Sequence, residues 1–343
     1  MLTDEAIDQP NNAEDREMPE RALNVLFILK FPPSVQRQYL DGTKAAVPEA
    51  SLVMTGSTDE ADPHLADADV LVTFGPMLGA RSEHIFRRAT SLKWVQSLGT
   101  GVDNIIDVPT LKPNVIVTKL HGIHGPPVSE AAITSMLALA RDFPQYVKHQ
   151  QAATWSRPRP PALLHGKTAG IFGIGSIAEA LAPRLGALGM KVVGVTSAVR
   201  EVPGFDEVVS RDRMLGVLPG LDHFIILTPL SDATRNAVAE AELAAMKPSA
   251  YLINLARGGV VDEDALIGAL DRGTIAGAAL DVFATEPLPP DHPFWRMDNV
   301  IVTPHVGGFN EDYPRAALPV FTENLKRFMA GERRDLINLV ERG

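Results

Sequence analysis

A glycine-rich turn at residues 173–178 (GIGSIA) restricts the fold of this chain more than any other feature of its sequence. An apolar run that begins at Thr168 precedes the turn, a helical segment at 179–188 follows it, and a second apolar run lies at 191–195. A strand, a tight glycine turn, a helix and a second strand in this order form a βαβ unit with parallel strands. This part of the chain therefore predicts a parallel sheet covered by helices.

The residues of the turn suit the binding of an anion. Gly173 permits the tight turn, Gly175 lets the backbone approach a ligand closely, and the small Ala178 lets the helix pack against the strand. Ser176 and Ile177 lie at the entry to the helical segment, whose N–H groups and dipole attract phosphate. Inside a complete βαβ unit this pattern predicts a dinucleotide site, whereas the alternative is a glycine turn used only for packing.

Short apolar runs alternate with helical segments along most of the chain, which is typical of parallel α/β sheets. The runs before the turn lie at 23–29, 51–54, 69–74, 93–97 and 115–118, with helices at about 34–46 and 82–89. The later runs lie at 223–227, 251–254, 278–282 and 300–303. An apolar helix at 131–141 connects the two series, and an amphipathic helix at about 319–330 ends the chain. We therefore predict two α/β units.

The composition excludes several classes of protein. The 343 residues, 45% hydrophobic and 22% charged, are typical of a globular chain of two domains. A net charge of −10 argues against a nucleic-acid binder, which needs a basic face. The absence of cysteine excludes disulfides, thiolate metal ligands and cysteine nucleophiles. Residues 1–20 are acidic and polar, and we expect a flexible tail.

The location and the partners of the chain are also constrained. No apolar run approaches the roughly 18 residues of a membrane span, and the first residues lack the layout of a secretory signal, so we expect a cytoplasmic protein without a membrane partner. His121 and His124 have no partner at metal-ligand spacing. We interpret both as loop residues and predict no metal site.

The end of the strand at 191–195 bears on the choice of dinucleotide. An acidic residue at this point would accept the ribose hydroxyls of NAD, but Thr196 and Ser197 stand there instead. Both hydroxyls can hydrogen-bond a 2′-phosphate, and Arg200 can neutralise its charge. The sequence thus favours NADP(H), while Glu201 lies close enough to keep NAD(H) as the alternative.

Three polar residues follow apolar strands in the second half of the chain, where ligands of open α/β sheets bind. They are Arg257, Glu286 and His305. Each has a structural alternative, as a salt-bridging, turn or structural residue. Together with a dinucleotide turn they suit hydride transfer to a ketone. A histidine can protonate the developing alkoxide, a carboxylate can orient that histidine, and an arginine can clamp a 2-oxo acid.

These residues resemble the D-isomer-specific 2-hydroxyacid dehydrogenase family over about residues 95–308. The matching segments, besides the turn, are 99–104 (GTGVDN), 128–130 (VSE), 166–168 (GKT), 228–230 (TPL), 246–248 (MKP), 254–262 (NLARGGVVD), 279–283 (ALDVF), 286–287 (EP) and 303–305 (TPH). The resemblance implies two Rossmann-like, doubly wound parallel-sheet domains. A dinucleotide-binding domain at 123–307 would be inserted into a flavodoxin-like catalytic domain made of 21–122 and 308–343.

The resemblance also implies roles for individual residues. Arg257 would bind the substrate carboxylate and carbonyl, Glu286 would pair with the imidazole, and His305 would be the general acid/base. The backbone N–H groups of Thr100 and Gly101 would meet the substrate carboxylate. Asp281 would hold the nicotinamide carboxamide. The residues lining the cofactor would include Thr228, Pro229, Leu255 and Ala256, and the substrate pocket Phe74, Gly75, Leu98 and Trp295.

The substrate implied is a small 2-oxo acid such as glyoxylate or hydroxypyruvate, reduced to the (R)-2-hydroxy acid. Glu286 beside His305 argues against the formate-oxidising members, and with the chain ending at Gly343 we expect no regulatory domain. One alternative is a non-catalytic dinucleotide sensor similar to the corepressors of the family, and another is an alanine-dehydrogenase-type oxidoreductase. The family also suggests a homodimer, with the helix at 131–141 either as a contact or simply as core.

Overall fold

The computed structural model describes residues 21–157 and 160–342, so the predicted tail at 1–20 lies outside the described residues. The described chain divides into two compact units, with the divisions between His121 and Gly122 and between Glu311 and Asp312. The first unit therefore comprises residues 21–121 and 312–342 of the described chain, and the second unit comprises the residues from 122 to 311.

The first unit contains a five-stranded parallel sheet. Its strands are β1 (Asn24–Ile28), β2 (Ser51–Thr55), β3 (Val70–Thr73), β4 (Trp94–Ser97) and β5 (Ile116–Thr118). Its first helices are α1 (Pro33–Ala46), α2 (Thr58–Ala61), α3 (Gly75–Leu78) and α4 (Ser82–Arg88). The strand order β2-β1-β3-β4-β5 is that of flavodoxin-like folds. Since every strand is parallel to its neighbours, all five carboxyl ends meet at one edge of the sheet.

The second unit contains a seven-stranded parallel sheet in the order β12-β11-β10-β9-β6-β7-β8. The strands are β6 (Thr168–Phe172), β7 (Lys191–Thr196), β8 (Glu207–Ser210), β9 (His223–Ile226), β10 (Tyr251–Asn254), β11 (Gly277–Leu280) and β12 (Val300–Val302). The helices are α5 (Gly125–Ala140), α6 (Phe143–Gln151), α7 (Ser176–Ala187), α8 (Met214–Val217), α9 (Glu240–Ala245) and α10 (Glu263–Asp271). The strand order reverses at β6, which lies between β7 and β9, and ligands bind at such switch points.

Successive side chains of the second sheet enter different cores, because side chains alternate between the two faces of a strand. Ile171 and Ile225 pack with residues of α5 and α7. Phe172 and Phe224 pack with residues of α9 and α10. Both faces are apolar, so the central strands form continuous apolar runs, and the prediction of two parallel α/β units is confirmed.

The chain returns to the first unit through α11 (Tyr313–Met329). Phe321 and Phe328 of α11 pack against Trp94 of β4, with ring centroids 5.8 and 5.3 Å from that indole. Phe27 of β1 meets Phe321 edge-on at 5.7 Å. The C-terminal helix therefore covers one face of the five-stranded sheet.

Two helices begin earlier than the sequence predicts, and one strand was not predicted. The helix predicted at 131–141 begins at Gly125, since its prolines lie in the first turn, where a missing N–H costs nothing. The helix predicted at 319–330 begins at Tyr313, and Pro319 lies inside it. Strand β8 is absent from the sequence prediction, because it is a short, half-exposed edge strand with polar ends. Among the described helices, none is long and apolar enough to cross a bilayer.

Candidate active site and dinucleotide site

The turn between β6 and α7 is shaped by Gly173. Its φ of +100° lies in the left-handed region, and a Cβ built there would stand 2.5 Å from the Thr228 amide nitrogen. Its own N–H donates to the Val195 carbonyl oxygen at 2.9 Å. No side chain fits at this position, so the turn passes directly over the residues that follow β9.

The N-terminus of α7 fits the phosphates of a dinucleotide. Gly175 is the N-cap residue and supplies no side chain to the N–H groups of the first turn. A Cβ added to Gly175 would meet nothing within 4 Å, so space is open beside these donors. Ser176 and Ile177 begin the helix, whose twelve residues provide an aligned dipole. This cradle has the donors and the room that a pyrophosphate needs.

The end of β7 carries hydroxyl groups, as the sequence indicated. Thr196 Oγ1 accepts a hydrogen bond from the Ala198 amide at 3.3 Å, and Ser197 is exposed. Arg200 pairs with Glu179 of α7, with 2.5 Å between Nη2 and Oε1. No local pattern in the sequence points to Glu179 as the partner, since the two residues are 21 positions apart. Both side chains are about half exposed, so the pair contributes little in water.

The loop after β10 holds Arg257 in a defined place. The buried Asn254 folds the loop, because its amide donates to the Arg257 carbonyl oxygen at 3.0 Å while its Oδ1 accepts from the Ala256 amide at 3.1 Å. The Arg257 guanidinium donates to the Ala256 carbonyl oxygen at 2.6 Å. A Cβ at Gly258 would lie 1.9 Å from the backbone of Phe283. Only glycine lets the loops after β10 and β11 touch in this way.

His305 and Glu286 form the central pair of the candidate site. His305 Nδ1 lies 2.7 Å from Glu286 Oε2, and the Phe283 amide donates to Glu286 Oε1 at 3.0 Å. Burial by itself would raise the pKa of the Glu286 carboxyl. The hydrogen bond and charge of His305, the Phe283 amide and the charge of Arg257 outweigh burial and lower that pKa below its ordinary value. Glu286 therefore stays ionised and holds the imidazole.

Asp281 organises the loop that carries His305. Its buried carboxylate accepts hydrogen bonds from Thr303 Oγ1 at 2.5 Å, the Val306 amide at 2.9 Å and the Gly307 amide at 2.8 Å. Its carbonyl oxygen accepts the His305 amide at 2.8 Å. His305 itself has a φ of +54°, a conformation that these bonds hold in place. No sequence pattern signals this role of Asp281, because the bonds join two different strand ends.

The remaining cofactor candidates lie at the same edge of the seven-stranded sheet. Thr228 and Pro229 follow β9, and Leu255 and Ala256 follow β10. The side chain of Leu255 lies beside Gly307, where an added Cβ would approach it to 3.5 Å. The structure thus brings these residues to the carboxyl ends of the strands next to the glycine turn.

The substrate-loop candidates Thr100 and Gly101 follow β4 in the first unit. Ser97 Oγ donates to the Gly101 carbonyl oxygen at 3.0 Å, and the Leu120 amide donates to the Gly99 carbonyl oxygen at 3.0 Å. These contacts fix the loop. The predicted pocket residues Phe74, Gly75 and Leu98 lie at this same sheet edge, whereas the half-exposed Trp295 belongs to the second unit.

The two loop histidines differ in their surroundings. His121 is exposed, whereas His124 is buried just before α5 and packs against Gly308, where an added Cβ would lie 3.2 Å from its ring. Within residues 21–157 and 160–342, no group of three or more potential ligand side chains is arranged to hold a metal ion.

Several known proteins resemble this chain in sequence and in fold. Residues 133–307 match the family model described as D-isomer specific 2-hydroxyacid dehydrogenase, NAD binding domain. The chain is 35% identical over 286 residues to a D-3-phosphoglycerate dehydrogenase of Methanocaldococcus jannaschii, a match that covers 82% of this chain and 53% of that relative. The chain thus spans about half the length of this relative.

Two further proteins are similar over most of their length. A glyoxylate reductase of Pyrococcus furiosus is 35% identical over 276 residues, which are 78% of this chain and 81% of that protein. The crystal structure of an NADPH-dependent glyoxylate/hydroxypyruvate reductase from Sinorhizobium meliloti, in complex with NADP and sulfate, superposes with a TM-score of 0.78 at 29% identity. The superposition covers 93% of this chain and 98% of that structure.

Proposed function

This chain belongs to the D-isomer specific 2-hydroxyacid dehydrogenase family, whose members are oxidoreductases acting on CH–OH donors, and from that premise we propose a specific reaction. The chain reduces a small 2-oxo acid such as glyoxylate or hydroxypyruvate to the (R)-2-hydroxy acid, with His305 as the general acid. The observation that carries the proposal is the 2.7 Å contact between His305 Nδ1 and the ionised Glu286.

The pair explains how a proton is delivered. A nicotinamide dinucleotide, when bound, supplies the hydride for C2 of the substrate. The contact with Glu286 keeps the Nδ1 proton of His305 directed at the carboxylate, which leaves Nε2 to protonate the substrate oxygen. The carbonyl thereby becomes a hydroxyl, and His305 becomes neutral. Glu286 stabilises the imidazolium before this transfer, in the way that a carboxylate orients the histidine of other acid/base sites.

Arg257 recognises the substrate in this proposal. A guanidinium can make two parallel hydrogen bonds to neighbouring oxygens, so it suits the carboxylate and carbonyl of a 2-oxo acid. Asn254 and Gly258 hold its backbone in place. The N–H groups of Thr100 and Gly101 are the proposed binders of the substrate carboxylate. These roles are those implied by the family resemblance.

NADPH is the proposed donor. No carboxylate follows β7 directly, and Thr196 and Ser197 offer hydroxyls to a 2′-phosphate. Arg200 is paired with Glu179, but this pair is half exposed, and a phosphate with nearly two negative charges can displace the carboxylate. The similar reductase of Sinorhizobium meliloti was solved with NADP, which supports the same choice.

A homodimer is the proposed assembly. Five large apolar side chains between residues 137 and 163 of the second unit are exposed: Leu137 (40%), Phe143 (59%), Val147 (38%), Trp155 (92%) and Leu163 (61%). Contiguous exposed apolar groups are typical of interaction surfaces, and we propose that these five, which are close in the sequence, form one such surface. We call this set the 137–163 surface. The buried residues of α5, among them Met136 and Leu139, pack in the core instead.

The deciding experiment is the steady-state oxidation of NADPH and NADH, side by side, with glyoxylate, hydroxypyruvate, pyruvate and phenylpyruvate. We expect turnover with glyoxylate or hydroxypyruvate and a higher kcat/KM with NADPH. A preference for NADH would contradict NADPH as the hydride donor but would leave the proposed reduction of a 2-oxo acid standing. Dinucleotide binding without turnover of any of the four acids would contradict the proposed reaction and favour a dinucleotide-sensing role.

A further inference from the structure

Tyr313, the first residue of α11, reaches the loop that follows β4. Its hydroxyl donates a hydrogen bond to the Leu98 carbonyl oxygen, 215 positions earlier in the chain. Only 2% of the side chain is exposed. Leu98 directly precedes Gly99-Thr100-Gly101, the proposed substrate loop. The C-terminal segment is therefore joined to this loop within the first unit.

Three contacts together set the backbone of the loop. Tyr313 holds the carbonyl of Leu98, the Leu120 amide holds that of Gly99, and Ser97 holds that of Gly101. A trans peptide unit is planar, so its N–H points opposite to its carbonyl. Holding the carbonyls of Leu98 and Gly99 therefore fixes the directions of the N–H groups of Gly99 and Thr100, respectively. The Gly99 amide accordingly donates to Ser97 Oγ at 3.2 Å.

The surroundings of Tyr313 hold its ring firmly. Its ring centroid lies 5.7 Å from that of Phe74, and Phe74 meets Phe31 edge-on at 5.6 Å. Phe31 stacks on Tyr39 at 6.4 Å. Burial raises the pKa of the Tyr313 hydroxyl, so it remains a protonated donor. This aromatic group packs around the Tyr313 ring, whose hydroxyl meets the Leu98 carbonyl oxygen.

We propose that Tyr313 is a positioning residue for substrate binding, whose hydroxyl fixes the Leu98–Gly99 peptide plane and thereby the start of the loop that presents the N–H groups of Thr100 and Gly101 to the carboxylate of a 2-oxo acid. The substrate named here rests on the proposed function. The tether itself rests on contacts within the first unit and can be tested without turnover.

Tyr313→Phe removes the hydroxyl and keeps the ring. A hydrogen bond of this kind is worth about 1 kcal/mol, so we expect KM for glyoxylate to rise by about fivefold or more. The value of kcat should stay within about twofold, because the general acid is untouched, and the Kd for NADPH should not change. Ser97→Ala removes a neighbouring tether and should raise KM in the same way.

Tyr39→Phe is the matched control. Tyr39 is a second fully buried tyrosine of the same aromatic group, and its hydroxyl has no hydrogen-bond partner among the described residues. Loss of the Tyr39 hydroxyl should leave KM for glyoxylate unchanged. If both tyrosine variants raise KM equally, the effect comes from packing and the proposal is overturned.

Hydrogen–deuterium exchange tests the tether independently of the reaction. In Tyr313→Phe, peptides that contain residues 98–102 and Leu120 should exchange faster, while those of the second unit and all peptides of Tyr39→Phe should not. If the wild type reduces none of the four acids, the proposed function fails, and faster exchange confined to this loop still supports the tether. Unchanged exchange in a folded Tyr313→Phe variant overturns it.

Discussion

Glu286 is bonded to His305 through one carboxylate oxygen and to the Phe283 amide through the other, so the pair is fixed from both sides. The pKa of Glu286 lies below its ordinary value of 4.5, despite burial, because of these bonds and the Arg257 charge. A carboxyl with a lowered pKa keeps its interaction above that pKa and loses it only as the pH falls through it. The pairing with His305 therefore survives into the acid range below 4.5.

The role of His305 is tested by its removal. His305→Ala should reduce kcat by roughly 10²–10⁴-fold, because the developing alkoxide loses its proton donor. NADPH binding, followed by fluorescence titration, should survive, since the glycine turn is untouched. His64→Ala, a change of an exposed histidine in the first unit, is the control. Turnover of His305→Ala at the wild-type rate would contradict the assignment.

The clamp formed by Arg257 is tested by keeping the charge and changing its shape. In Arg257→Lys an ammonium replaces the planar fork, so one charge-assisted hydrogen bond is lost. At about 1.5–3 kcal/mol for such a bond, kcat/KM for the 2-oxo acid should fall roughly 10–100-fold. The exposed Arg315, replaced in the same way, should show no change. A wild-type kcat/KM for Arg257→Lys would argue against the clamp.

Most strands of the two sheets, and the polar residues that follow them, can be located from the sequence. The central strands are predictable because they are buried on both faces and form continuous apolar runs, whereas the half-exposed edge strand β8 is missed. Since parallel strands end at one edge, residues that follow them, such as Arg257 and Glu286, can be grouped from their positions in the sequence alone. The structure places them at that edge, and their catalytic roles remain predictions.

Other contacts leave no local trace in the sequence. Asp281 binds the loop of His305, and Tyr313 binds the carbonyl of Leu98, although neither pair has a characteristic spacing. Such bonds form because the folded chain brings distant segments together, not because of periodicity. The pairing of Arg200 with Glu179 belongs to the same class.

The choice of dinucleotide depends on Arg200 and its partner. Arg200→Ala should raise KM for NADPH more than KM for NADH, because only NADPH carries the 2′-phosphate. Glu179→Gln should have the opposite effect, since it frees the guanidinium and removes a like charge from the phosphate site. Both substitutions should change KM for NADPH severalfold and no more, because the ion pair is half exposed and its charges are screened by water. Equal effects on the two dinucleotides would remove Arg200 from the phosphate site.

The 137–163 surface predicts the oligomeric state. Light scattering should give a particle mass of about twice the 37.0 kDa of one chain. Trp155, which is 92% exposed, should be buried by the second copy, so Trp155→Glu should shift the equilibrium toward the monomer. Leu215→Glu, a similar change on α8 outside this surface, is the control. A monomeric wild type, or a dimer that Trp155→Glu leaves intact, would contradict the proposed contact.

The stability of the second unit should depend on pH through His223. This side chain begins β9, is only 3% exposed and stacks on Tyr251 at 5.4 Å. Its Nδ1 has no hydrogen-bond partner among the described residues. Burial lowers the pKa of His223 from 6.5 to about 4, although the neighbouring Asp222 charge opposes this. The unfolded chain therefore binds a proton between these values that the folded chain does not.

This difference in proton binding makes the folded chain less stable at acidic pH. The contribution of His223 to the free energy of unfolding is fully present above pH 6.5. It falls as the pH drops toward 4, because protonation favours the unfolded chain. At about 1.4 kcal/mol per pH unit, the loss over this range is about 3 kcal/mol. His223→Phe keeps a ring against Tyr251 and cannot be protonated, so its free energy of unfolding should depend less on pH between 4 and 6.5. Urea unfolding at several pH values measures this, with the exposed His64→Phe as the control. The same slope in wild type and His223→Phe would show that His223 does not titrate in this range.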